Sequence, residues 1–108
     1  MAKLTGILYD DVDFAEYNYE VDEAVVTKNR IAIDWKEDGA PFHFVGQSSD
    51  GGTTYVGNYG SPQPDKSWNM EITRFTAADG TVLLIARWHQ TDNGREGSSA
   101  FELAEDWE

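Results

Sequence analysis

The chain has 108 residues, with 20 Asp or Glu against 8 Lys or Arg, no cysteine, and four Trp, five Tyr and five Phe. That length suits one domain, and an apolar fraction of 40% with so many rings excludes a disordered acidic tail. The missing cysteine removes disulfides, thiol redox pairs and Cys-ligated zinc, and a net charge of −12 speaks against direct contact with nucleic acid or anionic membrane, which needs clustered Lys and Arg.

The acidity sits at the two ends. Residues 1–23 hold seven acids against Lys3, and residues 92–108 hold six against Arg95, whereas residues 24–91 hold seven acids and six bases. Solubility alone does not call for that asymmetry. The start of the chain reaches Asp10 and Asp11 too soon for the apolar stretch of a signal peptide. No run approaches the ~18 apolar residues of a membrane-spanning helix, so the expected setting is the cytoplasm.

In chain order, a strand is expected near 3–9, followed by a connection over 10–16 with room for one helical turn capped by Asp10 or Asp11. Short β-branched and aromatic runs follow at 17–27, 30–37, 41–48, 53–59, 67–76, 81–90 and 97–104. Asp38-Gly39, Asp50-Gly51, Asp79-Gly80 and Asn93-Gly94 punctuate them with hairpin signals, because Gly and Asn tolerate positive φ; Lys28-Asn29 is a weaker signal. The segment 60–66 carries two prolines and cannot lie inside a sheet.

Registers follow from these turns. A turn at Asp38-Gly39 pairs Trp35 with Phe42 and Ile33 with Phe44. A two-residue turn at Asp50-Gly51 sets Gly46, Phe44 and Phe42 opposite Tyr55, Gly57 and Tyr59. A three-residue loop, Ala78-Asp79-Gly80, puts Met70 opposite Trp88 and Ile72 opposite Ala86, and a turn at Asn93-Gly94 brings Ser99, Phe101 and Leu103 beside Trp88, Ala86 and Leu84. Apolar side chains then share one face throughout. One stretch breaks the pattern: a tight Lys28-Asn29 turn turns Tyr17, Tyr19 and Val21 outward unless a bulge near Asp22-Glu23 returns them.

Seven or eight short antiparallel strands with one apolar face close into a small up-and-down barrel, which hides the face and removes the edges. The expected fold is therefore an all-β barrel over residues 1–108, resembling calycins in architecture. The stretch Gly46–Tyr59, with its Gly-x-Tyr pattern, is similar to avidin-like barrels in that pattern alone, and no family motif accompanies it.

The chemistry is sparse. His43 and His89 fall on outer faces of different hairpins, and Asp34, His43 and Asn58 form an expected polar row without a Ser or Cys nucleophile. Asp10, Asp11, Asp13 and Glu16 lack the alternation and central Gly of a calcium loop. Nucleophile-elbow, phosphate-loop and dinucleotide motifs are absent. Neither a cofactor nor a catalytic residue is assigned.

Two surfaces remain. Inside, Trp35, Tyr55, Tyr59, Trp68 and Trp88 with inward-phased Arg74 make either a packed core or the lining for one small, largely apolar ligand. Outside, Phe75, Leu83 and Ile85 cluster where a sheet should be polar, near Ala100 and Ala104 and bordered by the acids Glu102, Glu105 and Asp106. The amino-terminal segment 1–16 could cover that cluster with Leu4, Leu8 or Phe14; left bare, it implies a homodimer or a basic protein partner. The leading expectation is thus a non-catalytic binding protein, with a small-ligand carrier and an enzyme at the barrel mouth as alternatives.

Overall fold

Alternation of apolar and polar side chains produces eight strands, which a computed structural model describes over residues 3–12, 15–37, 39–61, 68–90 and 94–105. They are β1 (Lys3–Val12), β2 (Ala15–Val26), β3 (Arg30–Glu37), β4 (Ala40–Gln47), β5 (Thr54–Gly60), β6 (Trp68–Thr76), β7 (Val82–Gln90) and β8 (Arg95–Glu105). Each pairs antiparallel with the next, and β1 pairs with β8, giving a closed up-and-down barrel. Among the described residues there is no helix, so none is long and apolar enough to cross a membrane. The helical turn expected within 10–16 is not formed. Asp10 pairs with Tyr17 on one side and Ser99 on the other, and Asp11 and Val12 continue the hairpin to Glu16 and Ala15. The backbone groups of these residues are committed to strand ladders, which a helical turn would have to break. Asp13 and Phe14 lie outside the described residues.

Two hairpin registers agree with expectation. Trp35 faces Phe42 and Ile33 faces Phe44 across β3–β4, and Met70 faces Trp88 and Ile72 faces Ala86 across β6–β7. The bulge in β2 is also present: Val26 pairs with Ile31 and Ala24 with Ile33, but the register shifts between Val21 and Glu23. That extra residue returns Val21 to the core, where it is fully buried, and packs Tyr19 against it. Asp22 is left on the surface and meets Lys36 of β3 at 3.4 Å.

Two registers differ from expectation by two residues, which preserves the inward and outward sets. Across β4–β5, Phe44 faces Tyr59 and Gly46 faces Gly57, because residues 48–53 form a six-residue loop rather than a tight turn. That loop is organised by its own side chains. The Asp50 carboxylate accepts backbone N–H groups of Thr53 and Thr54 at 3.2 and 3.0 Å, and the Ser48 hydroxyl accepts from Gly52 at 2.9 Å while donating to Asp50 at 2.7 Å. Gly52 has φ +99° and lies so close to Lys28 that a Cβ would stand 2.9 Å from the Lys28 Cα. The loop thereby seals one end of the barrel against the β2–β3 turn, and the Tyr55 hydroxyl ties them by donating to the Thr27 carbonyl at 2.5 Å.

Across β7–β8, Ala86 faces Ser99 and Leu84 faces Phe101, with Trp88 opposite Gly97. This register follows from the indole. A Cβ at position 97 would come within 2.5 Å of the Trp88 ring, so the ring lies over bare backbone, and Trp88 Nε1 donates to the buried Ser99 hydroxyl at 3.0 Å. Phe44 uses Gly46 in the same way: a Cβ there would stand 2.5 Å from the ring.

Inward side chains from all eight strands form one cluster, with Ile31, Ile33, Phe44, Tyr55, Ile72, Leu84, Phe101 and Leu103 fully buried. A Cβ at Gly57 would drive into the Val45 carbonyl and the Gly46 Cα, both backbone. Gly57→Ala should therefore destabilise the barrel by about 1–3 kcal/mol in urea unfolding, since neither strand can yield without breaking the ladder. A second expectation concerns Asp50. Hydrogen bonds from the Thr54 backbone, then from the Ser48 side chain, lower its pKa from 3.8 to about 2. A depressed carboxyl pKa stabilises the fold above the unfolded value and loses that contribution as pH falls through the folded one. The melting-temperature gap between wild type and Asp50→Asn should be full near neutral pH and close as pH falls from 3.8 to about 2.

Candidate functional site

Closure of the barrel turns the uneven charge of the chain into a lateral asymmetry. The acidic ends become three consecutive strands, β8, β1 and β2, and the nearly neutral middle becomes β3 to β7. Glu20, Asp22, Glu96 and Glu102 are exposed on that acidic side. Glu105 ends β8, and its side chain, like all of Asp106, lies outside the described residues, as do the side chains of Asp10, Asp11, Asp13 and Glu16.

The outer apolar cluster is formed and is larger than expected. Phe75 is 54% exposed, Leu83 and Ile85 38% each, and β1 adds Ile7 at 41% and Tyr9 at 40%. Strand pairing arranges them in two rows. One runs Ile85–Ala100–Tyr9 across β7, β8 and β1, and the other runs Phe75–Leu83–Glu102–Ile7 from β6 to β1. Glu102 thus stands between Leu83 and Ile7, and its side chain has no hydrogen-bond or ion-pair partner among the described residues.

The amino-terminal segment does not cover this cluster along β1, contrary to one of the two outcomes considered. Leu4 and Leu8 are 5% and 2% exposed and point into the barrel, because β1 is a wall of the sheet with its own inward and outward residues. The outward set of that wall, Ile7 and Tyr9, enlarges the patch. Sequence reasoning missed both, although alternation from Leu4 and Leu8 marks them as outward once the segment is read as a barrel strand.

The interior residues considered for a ligand are placed as follows. Trp35, Tyr55, Tyr59 and Trp88 are buried, while Trp68 and Arg74 are half-buried. Rings gather toward the end of the barrel at which β3 and β7 finish and β4 and β8 begin. Trp35 stacks on Phe42 at 6.0 Å and meets Phe101 edge-on at 5.6 Å, and Tyr59 lies 5.4 Å from Trp68 and 6.4 Å from Trp88. Their polar atoms are engaged: Trp35 Nε1 donates to Glu37 at 2.8 Å, and the Gln90 amide donates to the Tyr59 hydroxyl at 3.1 Å. Arg74 lies at the opposite end, its backbone N–H donating to the Thr53 carbonyl, and its charge acts on Tyr55. Burial raises the Tyr55 pKa against that opposing pull.

The polar row is broken by the β4–β5 register. Asp34 does face His43, but His43 faces Gly60, and Asn58 faces Val45 and donates to Asn69 at 3.3 Å. His89 pairs with Asn69 and Glu96, and beside it Glu71, Arg87, Glu96 and Ser98 line a depression of about 350 Å³. A second depression of about 650 Å³ follows the β2 bulge, lined by Gly6, Ile7, Asn18, Glu20 and Asp22. It adjoins the Ile7 side of the apolar rows and gives them an acidic margin.

Comparison with known proteins finds no family model, curated protein or solved structure that matches this chain. The two-row cluster around Glu102 is the feature for which the fold supplies no internal use. Replacing Leu83 or Ile7 by Thr, which keeps strand propensity while removing exposed apolar area, should change unfolding free energy in urea by no more than about 0.5 kcal/mol.

Proposed function

We propose that this chain is a non-catalytic interaction protein whose contact surface is the outer face of β6, β7, β8 and β1, and that its partner is a basic protein. The observation that carries the reading is the exposed apolar group Phe75, Leu83, Ile85, Ile7 and Tyr9 arranged around the Glu102 carboxylate, which has no partner among the described residues. Contiguous apolar side chains of this size on an outer sheet face mark contact surfaces. The side chains supply area that is desolvated on contact, and the acids on β8, β1 and β2 supply a field that steers a cationic surface toward it.

This reading is preferred to a carrier because a ligand would have to part inward side chains that already form one continuous buried cluster. It is preferred to a second copy of the chain because two surfaces of net charge −12 repel, and a two-fold contact over this face brings Glu102 toward its counterpart.

The test uses the chain carrying a photo-crosslinker at position 83, with position 45 on the neutral side of the barrel as control, to isolate a partner that is then purified. Charge reversal at Glu102 and Glu105 together with Asp106 should slow association with that protein about tenfold or more at low salt, with the difference shrinking as salt rises. An unchanged association rate at low salt, or equal crosslinking from position 45, rejects the proposal.

A further inference from the structure

Several outward acids of the sheet stand beside a polar or basic neighbour. Asp22 meets Lys36 at 3.4 Å, Asp34 faces His43, Glu71 faces Arg87 and Glu96 faces His89. Glu102 does not. Its nearest outward neighbours are Leu83 and Ile7 across the two ladders and Ala100 and Ala104 along β8, so apolar side chains frame the carboxylate both across and along the strand. No hydrogen-bond or ion-pair partner meets it among the described residues.

The barrel itself gains nothing from a carboxylate at this point. A cross-strand pair is stabilised by opposite charge or by matched apolar area, and Glu102 obtains neither from Leu83 or Ile7. In the free chain water solvates the carboxylate. Contact with a partner strips that water together with the water on Leu83 and Ile7, and an uncompensated carboxylate then opposes binding. A Lys or Arg side chain answers both parts of these surroundings, because its methylene stem suits the apolar frame and its charged end pairs with the acid. Once the partner closes over such a pair, salt screens it far less than an exposed one. A shielded pair acts on the lifetime of a complex, whereas open rim charges act on the rate of encounter.

We infer that Glu102 is the specificity-determining residue of the contact face: it receives one Lys or Arg side chain of the partner, in an ion pair that Leu83, Ile7, Ala100 and Ala104 shield from water. The inference rests on the reading of this face as a contact surface, and it separates two roles of the acidity there. Glu102 holds the partner, while acids of the margin, such as Glu20 beyond Ile7 on β2, draw it in. A partner that brings an apolar or acidic side chain to this point is refused.

The first probes are acetyl-Leu-Arg-Leu-amide and acetyl-Leu-Lys-Leu-amide, with acetyl-Leu-Gln-Leu-amide and acetyl-Leu-Glu-Leu-amide as controls. Added to the full-length ¹⁵N-labelled chain, at least one cationic peptide should shift amide signals of residues 7, 83, 100, 102 and 104 saturably. It should bind at least about threefold more tightly than either control, and the better of the two identifies the cation. Glu102→Gln should erase that preference while keeping the dispersed spectrum of the folded barrel, and Glu20→Gln should retain it. In the complex with the purified crosslinked partner, Glu102→Gln should speed dissociation about tenfold or more and change association at low salt by less than about twofold.

No saturable binding by either cationic peptide, shifts centred elsewhere, control peptides that bind as well, or a cation preference that survives Glu102→Gln overturns the inference. A concentration-dependent dimer of the free chain, broken by Leu83→Lys, assigns the face to a second copy and overturns it as well. If Leu83→Lys breaks the complex with the crosslinked partner while Glu102→Gln leaves its dissociation rate unchanged, the role of Glu102 is rejected and the contact face stands. If Leu83→Lys leaves that complex intact, both are rejected.

Discussion

Pairing of β1 with β8 is the constraint on which the rest of this structure depends. An antiparallel sheet with one apolar face must hide that face and both of its edges, and pairing Leu4–Asp10 with Ser99–Glu105 achieves both. The two strands approach so closely at Gly6 that a Cβ there would drive into the Glu102 carbonyl oxygen, so the seam closes because position 6 has no side chain. Once closed, the sheet leaves β2 to satisfy two fixed neighbours at once. The β1–β2 register shifts between Leu4 and Gly6 and the β2–β3 register between Val21 and Glu23, both across the same part of β2, so one bulge accommodates both ladders.

Alternation of side chains makes the interior tolerant of some errors and intolerant of others. Moving β5 or β8 by two residues changes every partner but exchanges no inward residue for an outward one. The choice between registers two residues apart therefore falls to loop chemistry and to ring packing. Asp50 and Ser48 use five side-chain bonds to backbone or to each other to hold a six-residue loop where Asp50-Gly51 offers a tight turn. Trp88 selects Gly97 as its partner because only a bare position accepts the indole.

Charge and apolar exposure meet on one side for the same topological reason. Strand β8 is last in the chain, yet it lies beside β1, so acids that are far apart in sequence border one another. Glu102 then stands between Leu83, nineteen positions earlier, and Ile7 from the opposite end of the chain. An outer face of this kind contributes little to folding, since its apolar side chains keep more than a third of their area in water. Its interest lies in what removes that water.

Much of the fold was legible in the residues themselves. Apolar alternation marks the strands and their inward set, Asp38-Gly39 and Asp79-Gly80 set two registers, and the conflict between the Lys28-Asn29 turn and inward Val21 locates the bulge. These are local, because side-chain period and turn geometry act over a few residues. The outward cluster Phe75, Leu83 and Ile85 was legible for the same reason, as phase within β6 and β7. Tertiary structure alone decided that β1 is a barrel wall, that Ile7 and Tyr9 join the cluster, and that Asn58 leaves His43 for the neighbourhood of Val45. Those outcomes depend on pairing between the two ends of the chain and on a loop that hydrogen-bonds to itself. Neither is set by hydrophobic period, because strand alternation is unchanged by a shift of two and carries no information about which strand closes the sheet.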